Sequence, residues 1–230
     1  MSVTEFLKDI SLIVVSGTAI YGINSWRREY KEKRQTELAE EVLSLFYEAH
    51  DAIKHIRNPF SAAGEGTSRK QSENESPDEK KAYDRAYVVF ERYNENLELF
   101  NKLHSLRYRF MTQFGADSAE PFIELRKILN KIFASAQTLA GLWARPRTYF
   151  ETEQNGKEHY DFIAKLEAIL WEGLADEDPI NQILDKCVQD IEAMCRDILA
   201  ARSTLKKIKE NPFLKKLKSK VGNLPIKRTR

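Results

Sequence analysis

The chain has 230 residues, 37 of them Lys or Arg against 35 Asp or Glu, for a net charge of +2, with nine Gly, seven Pro and two Cys. So few turn formers beside abundant Leu, Ala, Glu and Lys exclude a turn-rich sandwich or barrel and favour helices. Two cysteines, Cys187 and Cys195, exclude a disulfide scaffold; eight residues apart in one expected helix, they lack the spacing of a metal or redox pair and are read as reduced.

The charge is segregated. Residues 27–34 hold five basic and two acidic side chains, and residues 211–230 hold seven basic and none acidic. Taking the +3 of the first cluster, the +7 of the last and the −1 of residues 1–9 from the total of +2 leaves residues 35–210 at −7. An acidic body between cationic ends is drawn to anionic surfaces, and less so at high salt.

Residues 10–26 contain no charged side chain, and Ile10, Leu12, Ile13, Val14, Val15, Ile20, Ile23 and Trp26 make them the expected membrane anchor. As a helix the stretch is about 25 Å long, short for a span. Its cations follow rather than precede it, as Arg27, Arg28, Lys31, Lys33 and Arg34. That order argues for a retained signal-anchor over a cleaved leader, with residues 1–9 outside and the Arg/Lys side in the cytoplasm, the layout of a bacterial inner-membrane protein. An interfacial helix and a buried core helix are the alternatives.

Between Ile23 and Arg57 there is neither Gly nor Pro, so the anchor is expected to run on as a first body helix. Leu38, Val42, Leu45, Ala49, Ala52 and Ile56 recur at four and three, the seam spacing of coiled coils and bundles, widened by Phe46 and Ile53. Residues 58–77 are polar, small and charged and read as a mobile loop. Ser76, Pro77 and Glu79 then spell a capping box that opens a second helix through Ala86, Phe90, Tyr93, Leu97, Phe100, Leu103, Leu106 and Phe110. Gly115 ends it, and Asp117 or Ser118 is the expected cap of a third, antiparallel helix carrying Phe122, Leu125, Leu129, Ile132, Ala136, Leu139 and Trp143. Tyr160, Ile163, Leu166, Ile169 and Leu170 mark a shorter fourth helix. Ile180, Leu184, Cys187, Ile191, Met194, Ile198, Ala201, Leu205 and Ile208 mark a long fifth. The expected fold is all-α, an antiparallel bundle of four to five amphipathic helices over residues 27–209, preceded by a short transmembrane helix.

Chemistry is hard to find in this pattern. Di-metal bundles need Glu-x-x-His pairs, and none of the four His has a Glu three residues before it. Asp51 and His55, four apart, read as solvated neighbours, and His50, His104 and His159 have less company still. Gly64-Glu65-Gly66 before Arg69 and Lys70 lacks the Walker spacing and a preceding strand. No Arg is followed by a His five to seven residues later, as in helical-bundle RNases. Arg107, Tyr108 and Arg109 read as the outward side of a helix, and Trp143 and Trp171 as aromatics closing the core. No catalytic, cofactor or metal residue is assigned, and the chain is not expected to be an enzyme.

The tail, residues 210–230, alternates Phe213, Leu214, Leu217 and Val221 with Lys215, Lys216, Lys218 and Lys220 before Lys227, Arg228 and Arg230. It reads as a second contact with membrane lipid or as a solubilising end. The expected function is a membrane-tethered interaction or scaffold protein whose partners are lipid and a protein, a second copy included. A nucleic-acid binder using the tail and a motif-less bundle enzyme or metal protein are the alternatives.

Overall fold

The computed structural model of the chain describes residues 3–145 and 152–210, with side chains for 21–145 and 152–200. Among these residues the chain is all-helical: α1 (Val3–Ile56), α2 (Pro77–Glu95), α3 (Leu97–Phe114), a 3-10 turn (Ala116–Ala119), α4 (Glu120–Trp143), α5 (Glu153–Leu170) and α6 (Asn181–Glu210). Two compact units are present, one of residues 1–41 with 195–230 and one of Val42–Met194.

The seam of α1 is buried as its periodicity requires. Leu38 and Ala39 are buried in the first unit; Val42, Leu45, Phe46, Ala49, Ala52, Ile53 and Ile56 are buried in the second. In that second unit Phe46 meets the edge of Phe122 on α4, ring centroids 4.9 Å apart, and Phe122 in turn lies 5.7 Å from Phe110 on α3. Pairing of Phe90 with Phe133 and of Phe110 with Phe122 runs in opposite chain directions, so α4 lies antiparallel to α2 and α3. Tyr47 donates to Glu192 at 2.5 Å and His50 bonds Asp185 at 2.8 Å, which sets α1 antiparallel to α6 in this unit.

Two buried arginines close helix ends. A helix leaves its last four carbonyls without partners, and an arginine carries five donors that cannot be neutralised. Arg92, 2% exposed, donates to the carbonyl of His55 (3.0 Å) in the last turn of α1, to those of Asn58 (2.6 Å) and Phe60 (2.8 Å) just beyond it, and to the Glu65 carboxylate. Arg57, fully buried, does the same for α5 through Ala168, Ile169 and Trp171, and its remaining donors reach Asn181 and Asp178. Burial pushes the Asp178 carboxyl up, but the Arg57 bond and the backbone N–H groups of Asn181 and Ile180 outweigh it and hold it below the ordinary value.

Several expectations need correction. The second helix is two, because at Asn96 the side-chain amide takes the Arg92 carbonyl at 2.9 Å and the backbone leaves the helix; Leu97, assigned to the buried stripe, is 40% exposed. Neither Asp117 nor Ser118 caps α4, since a 3-10 turn intervenes and Ser118 Oγ donates back to the Gly115 carbonyl. α5 begins at Glu153, capped by Thr152, seven residues before its first expected apolar position.

The segment after α1 is no loose connector. Arg69 bonds both Glu75 and Asp84, the Gly66 and Ser68 amides bond Glu91, and Glu65 is held by Arg92. Composition rightly gave it no apolar core, but ionic hydrogen bonds pin it instead. Gly66 has φ +85°, and a β-carbon there would collide with the Asp84 carbonyl oxygen, so no other residue fits. The Ser76–Glu79 capping box forms as its spacing requires.

Candidate functional site

The stretch of α1 ahead of its buried seam departs from the rest of the chain. Every residue from 21 to 31 is exposed, on all sides of the helix. Among them Tyr21 is 78%, Trp26 67%, Tyr30 53% and Ile23 52% exposed, interleaved with Arg27, Arg28 and Lys31. Trp26, Tyr30 and Arg34 follow at four-residue steps along one face. The two rings lie 6.1 Å apart, and the Arg34 guanidinium sits over Tyr30 at 5.8 Å. Amphipathic aromatics beside cations suit a bilayer headgroup region, where the ring is half dry and the charge meets phosphate.

Of the anchor residues, Ile23 and Trp26 are thus exposed. Ile10, Leu12, Ile13, Val14, Val15 and Ile20 lie in α1, but their side chains are outside the described residues. No helix among the described residues is long and apolar enough to cross a membrane, so the transmembrane helix expected from residues 10–26 has no support here. The weak point is composition: Ser11, Ser16, Gly17, Thr18, Gly22, Asn24 and Ser25 dilute the apolar run. Lys215, Lys216, Lys218, Lys220, Lys227, Arg228 and Arg230 of the tail lie outside the described residues.

The histidine reading shifts by one turn. His55 does not pair with Asp51; His50 does, at 3.3 Å, and also meets Asp185 on α6 at 2.8 Å. Spacing within one helix pointed to His55, and only the approach of α6 brings the second carboxylate to His50. No group of three His, Cys, Asp or Glu among the described residues is placed to hold a metal.

Both thiols are poor nucleophiles. Burial pushes Cys187 up to about 12 and Cys195 up to about 11, and the Cys187 S–H donates to the Pro121 carbonyl at 3.0 Å. Trp171 is buried, while Trp143 is half-buried, donates to Glu167 at 3.1 Å and carries Arg85 over its ring at 4.3 Å. They act as closures of the core.

A cavity of about 310 Å³ opens between α3 and α4. Phe100, Leu103, Phe122 and Leu129 give it an apolar lining, and Arg107 and Arg126 border it. Arg107, expected on the outward side of its helix, thus borders this cavity. Half of its apolar lining, Phe122 and Leu129, comes from α4, so no local pattern announces the cavity.

No protein-family model, no curated protein and no solved structure matches the chain. The class defined by the fold of the described residues is an all-α helical bundle.

Proposed function

We propose that this chain is a membrane-tethered helical interaction protein, held at an anionic bilayer by the first part of α1 and presenting its helical body on the Arg/Lys side. The observation that supports this reading is the wholly exposed helical stretch 21–31, in which Trp26 and Tyr30 neighbour Arg27, Arg28 and Lys31 while the same helix buries its apolar seam from Leu38 onward. A helical stretch exposed on all sides over three turns, carrying large aromatics, is suited to another surface. Residues 10–26 are proposed to enter the bilayer, with the cations retained on the cytoplasmic leaflet.

Flotation of the full-length chain with phosphatidylserine-containing and with purely zwitterionic vesicles tests it. Binding is expected to the anionic vesicles, and Trp26→Ala with Tyr30→Ala lowers it about tenfold. Alkaline carbonate extraction then separates a crossing segment, which stays with the lipid, from an interfacial one, which is released. Full-length protein that ignores both vesicle types refutes the tether.

A further inference from the structure

We propose that the cavity between α3 and α4 binds a small amphipathic organic anion, an apolar ring or short chain bearing one carboxylate or one phosphoryl group. Its volume, about 310 Å³, sits at the lower end of small-ligand sites. Phe100, Phe122 and Leu129 supply the apolar wall, and no Asp or Glu lines it.

The electrostatics single it out. Residues 35–210 carry a net −7, and Arg57, Arg69 and Arg92 are locked to carboxylates. Arg107 and Arg126 are different. Both border the cavity, and neither makes an ion pair among the described residues. Arg107 Nη2 donates to the Tyr108 hydroxyl at 2.7 Å, but its Nε–H is shut off from solvent and meets no acceptor. A buried donor without a partner is costly, and a turn of the Arg107 side chain toward the cavity would let a ligand oxygen satisfy it. His104 and Asn101 stand at the same rim and add polar contacts for a head group. The two guanidiniums bordering the cavity offer donors to a carboxylate or phosphoryl group, and the apolar wall favours an organic body over a bare inorganic ion. This site is independent of the membrane reading.

Methyl NMR of the full chain, following Leu103, Leu125 and Leu129, is the test. Phenyl phosphate and phenylacetate are the anionic probes, inorganic phosphate is the head group alone, and benzylamine has a similar body with the opposite charge. At least one aromatic anion is expected to move these methyls to saturation, and whichever binds tighter assigns the head group. Inorganic phosphate binds at least about tenfold more weakly and benzylamine leaves the methyls unmoved. Arg107→Gln and Arg126→Gln, both outside the buried core, each weaken the aromatic anion about tenfold while the Ile53 and Ile191 methyl signals keep their positions. Lys131→Gln, an exposed cation elsewhere on α4, leaves binding unchanged. The proposal is overturned if neither anion moves the three methyls in the millimolar range, if benzylamine binds as well as the anions, or if both arginine variants bind like the parent chain.

Discussion

Arg57 and Arg92 show how single side chains decide where this chain stops being helical. Each takes the carbonyls of a helix end out of water and replaces the lost solvation with short, charge-assisted bonds. Arg92→Met removes the donors and leaves the Glu65 carboxylate uncompensated, so urea denaturation is expected to show a loss of about 3–5 kcal/mol. Arg57→Met behaves alike. Lys at either position recovers little, because an ammonium cannot reach carbonyls in several directions at once. The buried thiols make a second prediction at this scale. With Cys187 pushed up to about 12 and Cys195 up to about 11, neither reacts appreciably with iodoacetamide at pH 8 until denaturant exposes it, as mass spectrometry of alkylated samples would read. Rapid labelling of either in the folded chain contradicts its burial.

Elements whose signals are local were legible from the residues. The seam of α1 needs only its own spacing, and every one of Leu38, Val42, Leu45, Ala49, Ala52 and Ile56 is buried; the capping box of α2 needs only four residues. The loop ahead of α2 was not legible, since Glu65 finds Arg92 across 27 positions and Arg69 finds Asp84 across 15. Charged composition looks the same whether its partners are protein or water. Hydrogen bonds from Arg69 and from the Ser72 backbone hold Glu75 down at about 2; the Arg92 bond lowers Glu65, and bonds from Ser68 and Gly66 lower Glu91. Carboxylates depressed in the folded state stabilise it when ionised. Their contribution is therefore complete above the ordinary glutamate value of 4.5 and is lost as pH falls through the folded values toward about 2. Amide exchange at Gly66 and Ser68, corrected for its intrinsic pH dependence, should lose protection in that window and not above it. Gly66→Ala should remove the same protection at neutral pH, because the alanine β-carbon collides with the Asp84 carbonyl oxygen.

For the whole molecule, composition and periodicity sufficed for an all-helical bundle, and charge order sufficed to frame a membrane proposal. They did not reveal the α3–α4 cavity, to which each helix supplies one arginine and part of the apolar wall, brought together only after the 3-10 turn redirects the chain. Charge also sets a prediction here. If the cluster after residue 26 meets an anionic leaflet, each cation contributes about 1 kcal/mol, or about fivefold in partitioning. Arg27→Gln, Arg28→Gln and Lys31→Gln should each weaken vesicle binding by that factor, and the difference between parent and variants should shrink as salt rises. Equal binding by the triple variant at low salt would remove electrostatics from the attachment.

The pinned segment between α1 and α2 also governs how the chain meets proteases. Its Arg69 and Lys70 would invite trypsin on composition alone, yet Arg69 is clamped between two carboxylates and the carbonyls of Asn58 and Phe60 at the start of the segment accept from Arg92. A nick after Arg69 requires its bonds to Glu75 and Asp84 to open first, so cleavage at that bond keeps time with local opening rather than with composition.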